Sequence, residues 1–355
     1  MKMMKKYVLG LLVATGLSGP ALAQSAAGAA GAAAVQPAAA ARLPDADPAM
    51  WVVRDEDTTL YLFGTFHLMD GKADWFNDEV KEAFDRSQEL VVEVDLPEDQ
   101  AALAAQFQPL IVKYGPDPER RSLKDLLSAE EYKTLYEALS PMGVPAGAFD
   151  PMRPWFASFM LTGAMGQKLG LSQEHGAEFI LERAARQRNM TIGQVETIEG
   201  QIEMLSSAPH DQQLAQLKEA LGDMDAMSGM LPRMLTVWNS GDAEGLDRVM
   251  NEGLGDNPEL RRTLLGARNE KWAEWIDERM DRPGTVFMAV GAGHLSGDDS
   301  VQSFLRKRGI QSARVPAAGG GTAAGGAAGG GAAGGSTYPV CRSRTQDRCI
   351  QRGGR

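Results

Sequence analysis

Residues 61–70 read YLFGTFHLMD, and residues 286–297 read VFMAVGAGHLSG. Each is a short apolar run with the composition of a buried strand. Each stops at a glycine, and a histidine follows three positions later. The chain contains only four histidines, and two of them, His67 and His294, share this setting. Strands of this kind end at the carboxyl edge of an open α/β sheet, where such folds hold their ligands. The pair therefore points to a fold and to a site together.

Outward from the first run, residues 50–54 and 58–64 read as two strands joined by the polar turn DEDT, a hairpin. DWFNDEVKEAFDRS then sets Phe76, Val80, Ala83 and Phe84 at helical spacing, with Asp74 or Asn77 as the cap. ELVVEVDLP alternates and stops at Pro97, as a strand does. Strand, helix and strand in such short succession make a βαβ unit, so a parallel pair is expected. Residues 98–280 read as mostly helical, with candidates at 98–113, 128–140, 155–169, 175–188, 199–207, 211–226, 229–239 and 257–280. A short strand near 191–195 interrupts them. The second run is a further buried strand, DDSVQSFLRKRGI an amphipathic helix, and SARV a last short strand. The expected fold is α/β, a mixed central sheet with a large helical insertion, about 98–280, between its two halves. Met204, Met224, Met227, Met230 and Met234 crowd into that insertion; they suit either an adaptable helical core or a mobile lid over the site.

The ends are of another kind. Lys2, Lys5 and Lys6 precede an apolar stretch from Tyr7 to Leu17 and then Ala21-Leu22-Ala23, the layout of a secretory signal peptide over 1–23. The apolar stretch falls short of the about 20 residues that a membrane span needs. Export across the inner membrane to the periplasm is expected. Residues 24–46 form an Ala-rich tether and 317–335 a Gly/Ala linker, on either side of a folded body over 47–316. The tail, 336–355, holds both cysteines, Cys341 and Cys349, which an oxidising compartment is expected to join in a local disulfide. The 355-residue chain has a formal net charge of −11. Because the tail carries Arg342, Arg344, Arg348, Arg352 and Arg355, the body is more acidic still. That excludes nucleic acid as a partner of the folded part. The basic tail could contact anionic envelope polymers or lipid, or be only a solvated end.

Several familiar signatures are absent. A P-loop around Gly71-Lys72 would need glycine where Phe66 stands and Ser or Thr where Ala73 stands. A dinucleotide fingerprint from Gly291 and Gly293 would need a third glycine at Ser296. The body has no Gly-x-Ser-x-Gly elbow and no His-Glu-x-x-His helix. The two glycine–histidine turns remain. Imidazole is both a common metal ligand and a common general base; the alternative is a pair of separate, hydrogen-bonded turn histidines. Glu93 and Asp95, two apart in LVVEVDL, are expected on one side of their strand. A charged side chain in so apolar a strand needs a partner, unless the strand lies at an edge with one wet face. Glu196 follows the next short strand, either as a site residue or as a helix N-terminal acid favoured by the helix dipole.

On LFGTFH at 62–67, LVVEVD at 90–95, HGAEFILERAARQRNMTIGQVETIEGQ at 175–201, ARNEKWAEWI at 267–276 and FMAVGAGHLSGDDSVQSFLRKRGIQSARV at 287–315, the chain resembles the TraB/GumN family, related to the Tiki-type proteins. His67 and His294 match the family's paired histidines, Glu93 its strand acid, Glu196 its Leu-Glu-Thr-like glutamate, and Arg268 and Asn269 its Arg-Asn pair. Where many members have Gly-hydrophobic-Asp, this chain has Glu178, so no ligand role is carried to that position, and His175 stays outside the core site. The resemblance implies a divalent ion, with Mn, Co or Zn all plausible, held by His67, His294 and Glu93, while Glu196 is the water-activating base. Glu93 and Glu196 can exchange those two roles. Arg268 would bind a substrate carboxylate or an oxyanion, and Asn269 would orient water or donor groups. The implied activity is metal-dependent hydrolysis of a peptide or another small amide or ester. The alternatives are a metal-free, histidine-dependent esterase, periplasmic capture of a peptide, metal or haem-like ligand without turnover, or a structural role in the envelope or with polysaccharide.

Overall fold

In the computed structural model, which describes residues 43–254 and 258–317, the two glycine–histidine turns end neighbouring strands. The expected signal sequence, nearly all of the tether, the Gly/Ala linker beyond Ala317 and the basic tail with its disulfide lie outside the described residues. Strands β1 (Met50–Arg54) and β2 (Thr58–Thr65) form the expected antiparallel hairpin. Helix α1 (Asp78–Arg86) leads to β3 (Glu89–Val92). Helices α2 (Gln100–Tyr114), α3 (Leu123–Leu126), α4 (Ala129–Leu139), α5 (Pro154–Lys168) and α6 (Ala177–Gln187) precede β4 (Thr191–Gln194). The second helical run is α7 (Ile198–Ser207), α8 (His210–Gly222), α9 (Met224–Asn239), α10 (Ala243–Leu254), α11 (Pro258–Arg261) and α12 (Ala267–Arg279). Strand β5 (Gly284–Gly291), α13 (Val301–Lys307) and β6 (Ser312–Arg314) complete the body.

The six strands lie in the order β4-β3-β5-β2-β1-β6. β4, β3, β5 and β2 run parallel, while β1 is antiparallel to both β2 and β6, so the sheet is mixed. The pair expected from the βαβ unit is not adjacent: β2 and β3 run the same way, but β5 lies between them and bonds to both. Strand order depends on contacts more than two hundred residues apart in the chain, and the local pattern does not encode it. The expected strand through Val94 also stops early. Its ladder ends at Val92, so alternation no longer governs the two acids beyond it: Glu93 is buried, and Asp95 sits at the surface against Arg186.

β5 explains its unbroken apolar run. Val286 through Val290 are fully buried because both faces of a central parallel strand are covered. Phe287 and Ala289 join the core that holds Phe63, Phe84, Trp75 and Trp238. Val286, Met288 and Val290 face the other way, onto Trp272, Ile276 and Leu305. Each such side chain contributes roughly 1.5–3 kcal/mol on burial. The helical region differs from its expected form in two places. Residues 243–254 form α10, whose Leu246, Val249 and Met250 are buried; Gly245 and Gly253 mask its periodicity in the sequence. The helix expected at 257–280 is broken by a π turn at Arg262–Gly266. Met227, Met230 and Met234 are core residues of α9.

Candidate active site

The register of β2 against β5 pairs Gly64 with Val290 and Thr65 with Gly291, so the two motifs lie side by side at the carboxyl edge. Gly64 allows this closeness, because a Cβ there would sit 3.0 Å from the Ala292 Cα. The Gly64 carbonyl accepts a 2.7 Å hydrogen bond from the Trp238 indole N–H, which fixes where the first turn begins. β3 and β4 end at the same edge and deliver Glu93 and Glu196, joined by a backbone bond from the Glu196 N–H to the Glu93 carbonyl at 2.9 Å.

Five of the six residues singled out from the sequence form one network around Arg268. Its side chain is only 7% exposed. Its Nε donates to Glu196 Oε1 at 2.7 Å. Nη2 donates to Glu196 Oε2 at 2.8 Å and to Glu93 Oε2 at 2.6 Å. Nη1 donates to the Leu264 carbonyl at 3.1 Å and to His294 Nε2 at 2.9 Å. An arginine has five N–H donors, and here every one is engaged. The π turn supplies the Leu264 carbonyl, which shows why the helix departs from α geometry just before Arg268. The guanidinium also rests on the Trp272 ring at 4.9 Å. As arranged, Arg268 has no donor left for a substrate carboxylate or an oxyanion.

Asn269, fully buried, orients a histidine rather than a water. Its Oδ1 accepts from His294 Nδ1 at 2.6 Å, and its Nδ2 donates to the Asp299 carbonyl at 2.6 Å. His294 therefore carries its proton on Nδ1 and presents a lone pair at Nε2 to Arg268. Burial and the neighbouring guanidinium hold His294 down at about 3, so the ring is neutral. Burial alone would raise the Glu93 carboxyl. Arg268 and the Gly291 N–H, 2.8 Å from Oε1, reverse this and hold it at about 2. Gln201 bridges both acids, donating to Glu93 Oε2 at 3.0 Å and to Glu196 Oε2 at 2.9 Å.

His67 stands on the other side of Glu93 and has a partner that sequence reasoning set aside. Its Nδ1 lies 3.1 Å from Glu178 Oε1, and Thr65 Oγ1 donates to the same oxygen. Burial lowers the His67 pKa, but Glu178, and Glu93 beyond it, outweigh burial and raise it to about 9. His67 is thus an imidazolium at neutral pH. Glu178 reaches it because α6 folds back on the end of β2, with the Ala177 N–H bonded to the Phe66 carbonyl at 2.9 Å. The sign of this in the sequence is the acid two residues beyond Gly176. His175, left outside the site, packs on Gly71 and bonds to Ser172.

A cleft of about 290 Å³ opens onto this edge, lined by His67, Glu93, Glu178, Phe179 and Glu182 among others. Glu182, one helical turn past Glu178, was not foreseen; burial pushes its carboxyl up to about 7 in spite of Arg186.

The donor set does not suit a divalent ion. Glu93 has both oxygens taken by Arg268, Gln201 and the Gly291 N–H, the His294 lone pair is met by Arg268, and His67 is tied to Glu178. Among the described residues no three His, Cys, Asp or Glu side chains come together in a way that would hold a metal ion. As arranged, His67, His294 and Glu93 do not form a chelate, because a guanidinium already provides the positive charge between the carboxylates.

Comparison with known proteins agrees with the family resemblance. The TraB/PrgY/gumN family model matches residues 49–314. The chain is similar to the uncharacterized protein YbaP of Escherichia coli (strain K12), 29% identical over 189 residues, which are 53% of this chain and 70% of that protein. An uncharacterized protein of Treponema pallidum (strain Nichols) is 26% identical over 273 residues, 73% of this chain and 80% of that one. Metalloprotease TIKI1 of Homo sapiens is 22% identical over 325 residues, 76% of this chain but only 62% of that protein. No solved structure matches.

Proposed function

The chain belongs to the TraB/PrgY/gumN family, and on that premise we propose that it is an exported hydrolase of peptides or related small amides and esters. The observation that carries this reading is the cleft at the carboxyl edge of β2, β3 and β5, with the His67–Glu178 pair exposed to it. An imidazolium held in place by a carboxylate can donate a hydrogen bond to a carbonyl and then a proton to the leaving group. The role of Glu178 is to keep the ring charged and oriented. Glu93, Glu196, Arg268, Asn269 and His294 form the rigid floor against which that pair is set. Distant relatives named metalloproteases support hydrolysis as the reaction class. No step is assigned to a metal, because the donors are committed to Arg268 and Glu178.

The saturation of Arg268 favours a second reading, capture of a peptide without turnover, since a fully bonded guanidinium is what a rigid binding floor requires. One experiment separates the two. The purified chain and its His67→Ala variant are incubated with a mixed peptide library, with chelator or with added Mn, Co or Zn ions, and products are followed by mass spectrometry. Hydrolysis predicts cleavage by wild type that falls at least about 100-fold in the variant, the scale of a lost general acid. The metal arms show whether any ion is needed. Peptides retained but uncleaved under every condition would leave only the capture reading.

A further inference from the structure

The walls of the cleft carry charge of one sign. Among the described residues His67 is the only basic one in the lining, and Glu178 neutralises it. Against it stand Glu93, Glu98, Glu174, Glu178 and Glu182, with Val94, Leu96, Pro97, Leu103 and Phe179 as apolar surface between them. Glu93 belongs to the Arg268 network, so the balance turns on the remaining acids. A single arginine, Arg186, serves three carboxylates at that end: Asp95 at 2.6 Å, Glu182 at 3.0 Å and Glu98 at 3.6 Å.

One atom shows that the site is short of a cation. Glu182, whose side chain is only 8% exposed, gives Oε2 to Arg186. That side chain lines the cleft. Glu178 Oε2, on the same wall, is buried and lacks a hydrogen-bond partner among the described residues. A buried carboxylate with an unused oxygen is costly unless a donor reaches it. The raised pKa of Glu182 reflects the same shortage.

We infer that the cleft selects peptides carrying a lysine or arginine side chain, whose apolar stem lies along Leu96, Leu103 and Phe179 while its charged head meets Glu182 and the unpaired Oε2 of Glu178. Long basic side chains suit such a passage because the stem buries apolar surface and the head donates hydrogen bonds to carboxylate. This rests on the cleft being the functional site and holds for cleavage or for capture. Glu182 is the specificity-determining residue, with Glu98 at the rim.

The test reads binding rather than turnover. A random hexapeptide library, acetylated at the amino end so that only side chains bear positive charge, is passed over immobilised full chain at physiological ionic strength. The Debye length there is about 8 Å, so the general field of an acidic body is screened. Retained peptides should be enriched roughly tenfold in Lys and Arg, the scale of one partly buried charge pair. Glu182→Gln should remove most of that enrichment and Glu98→Gln part of it, while Glu270→Gln, exposed and outside the cleft lining, should change nothing. The Glu98 variant keeps the test decisive if Glu182→Gln folds poorly, because Glu98 is largely exposed. No retention, no basic enrichment, or enrichment untouched by both variants would overturn the inference. Basic enrichment without any cleavage would sink the hydrolase reading alone; cleavage without basic preference would sink this one alone.

Discussion

Replacing Arg268 by lysine keeps the charge and removes the geometry, and the cost can be worked from the contacts. The five N–H groups meet Glu196 twice, Glu93, the Leu264 carbonyl and His294. An ammonium has three donors on one centre, so at least two of these bonds must fail. Charge-assisted bonds contribute about 1.5–3 kcal/mol each. Losing the stack on Trp272 adds about 0.5–2 kcal/mol. Part of this is recovered where the smaller head group lets the carboxylates shift or admit water. The expected loss is therefore about 3–5 kcal/mol, the range found when a buried ion pair is broken. That is a large share of the roughly 5–15 kcal/mol that holds a domain together. Urea unfolding of wild type and Arg268→Lys under identical conditions measures it, with an unchanged slope showing that the native state is still compact. A loss below about 1 kcal/mol would mean that the guanidinium is not the structural centre of the site. Its donors would then be free for a ligand, and the floor described above would have to be abandoned.

The two site histidines should titrate in opposite directions. Imidazole NMR signals should show His67 charged at pH 7 and losing its proton only near 9, with His294 neutral down to about 3. Because the folded value for His67 lies above its ordinary 6.5, its pairing with Glu178 stabilises the fold fully below pH 6.5 and ceases to do so as pH rises through about 9. In Glu178→Gln the His67 transition should fall well below 9; an unmoved transition would show that another group sets the charge. Gly176→Ala would place a Cβ 2.2 Å from the His67 carbonyl oxygen. It should cost about 1–3 kcal/mol in urea unfolding and free His67 from Glu178, seen as a drop in the same NMR transition. A silent substitution would mean that α6 does not seat Glu178.

Legibility divided along the range of the interactions. The hairpin, α1, most helices and the central strand were readable because periodicity and turn residues act within a few positions. The π turn before Arg268 was not, since its cause is a carbonyl drawn to the guanidinium of the following helix. The six named site residues lie at strand ends or beside short motifs, where sequence and resemblance both point. Their division of labour was less visible. Arg268 and Asn269 looked like groups for substrate and water, yet their polar atoms are spent on Glu93, Glu196, His294 and the Asp299 and Leu264 carbonyls. Glu178 and Glu182 enter through the docking of α6 on the end of β2, a contact with no local signature.

The place of β5 in the sheet sets an order of events. β2 and β3 are made early, but neither touches the other; each waits for a strand that begins at Gly284. Until that strand threads between them, His67 and Glu93 have no common edge, and the carboxylates have neither Arg268 nor the Gly291 N–H to hold them. Such long-range closure is slow, and a chain emerging from its amino end would carry a half-sheet with two open sides until almost the whole body had appeared. A truncation anywhere before β5 removes the site as completely as deleting His294.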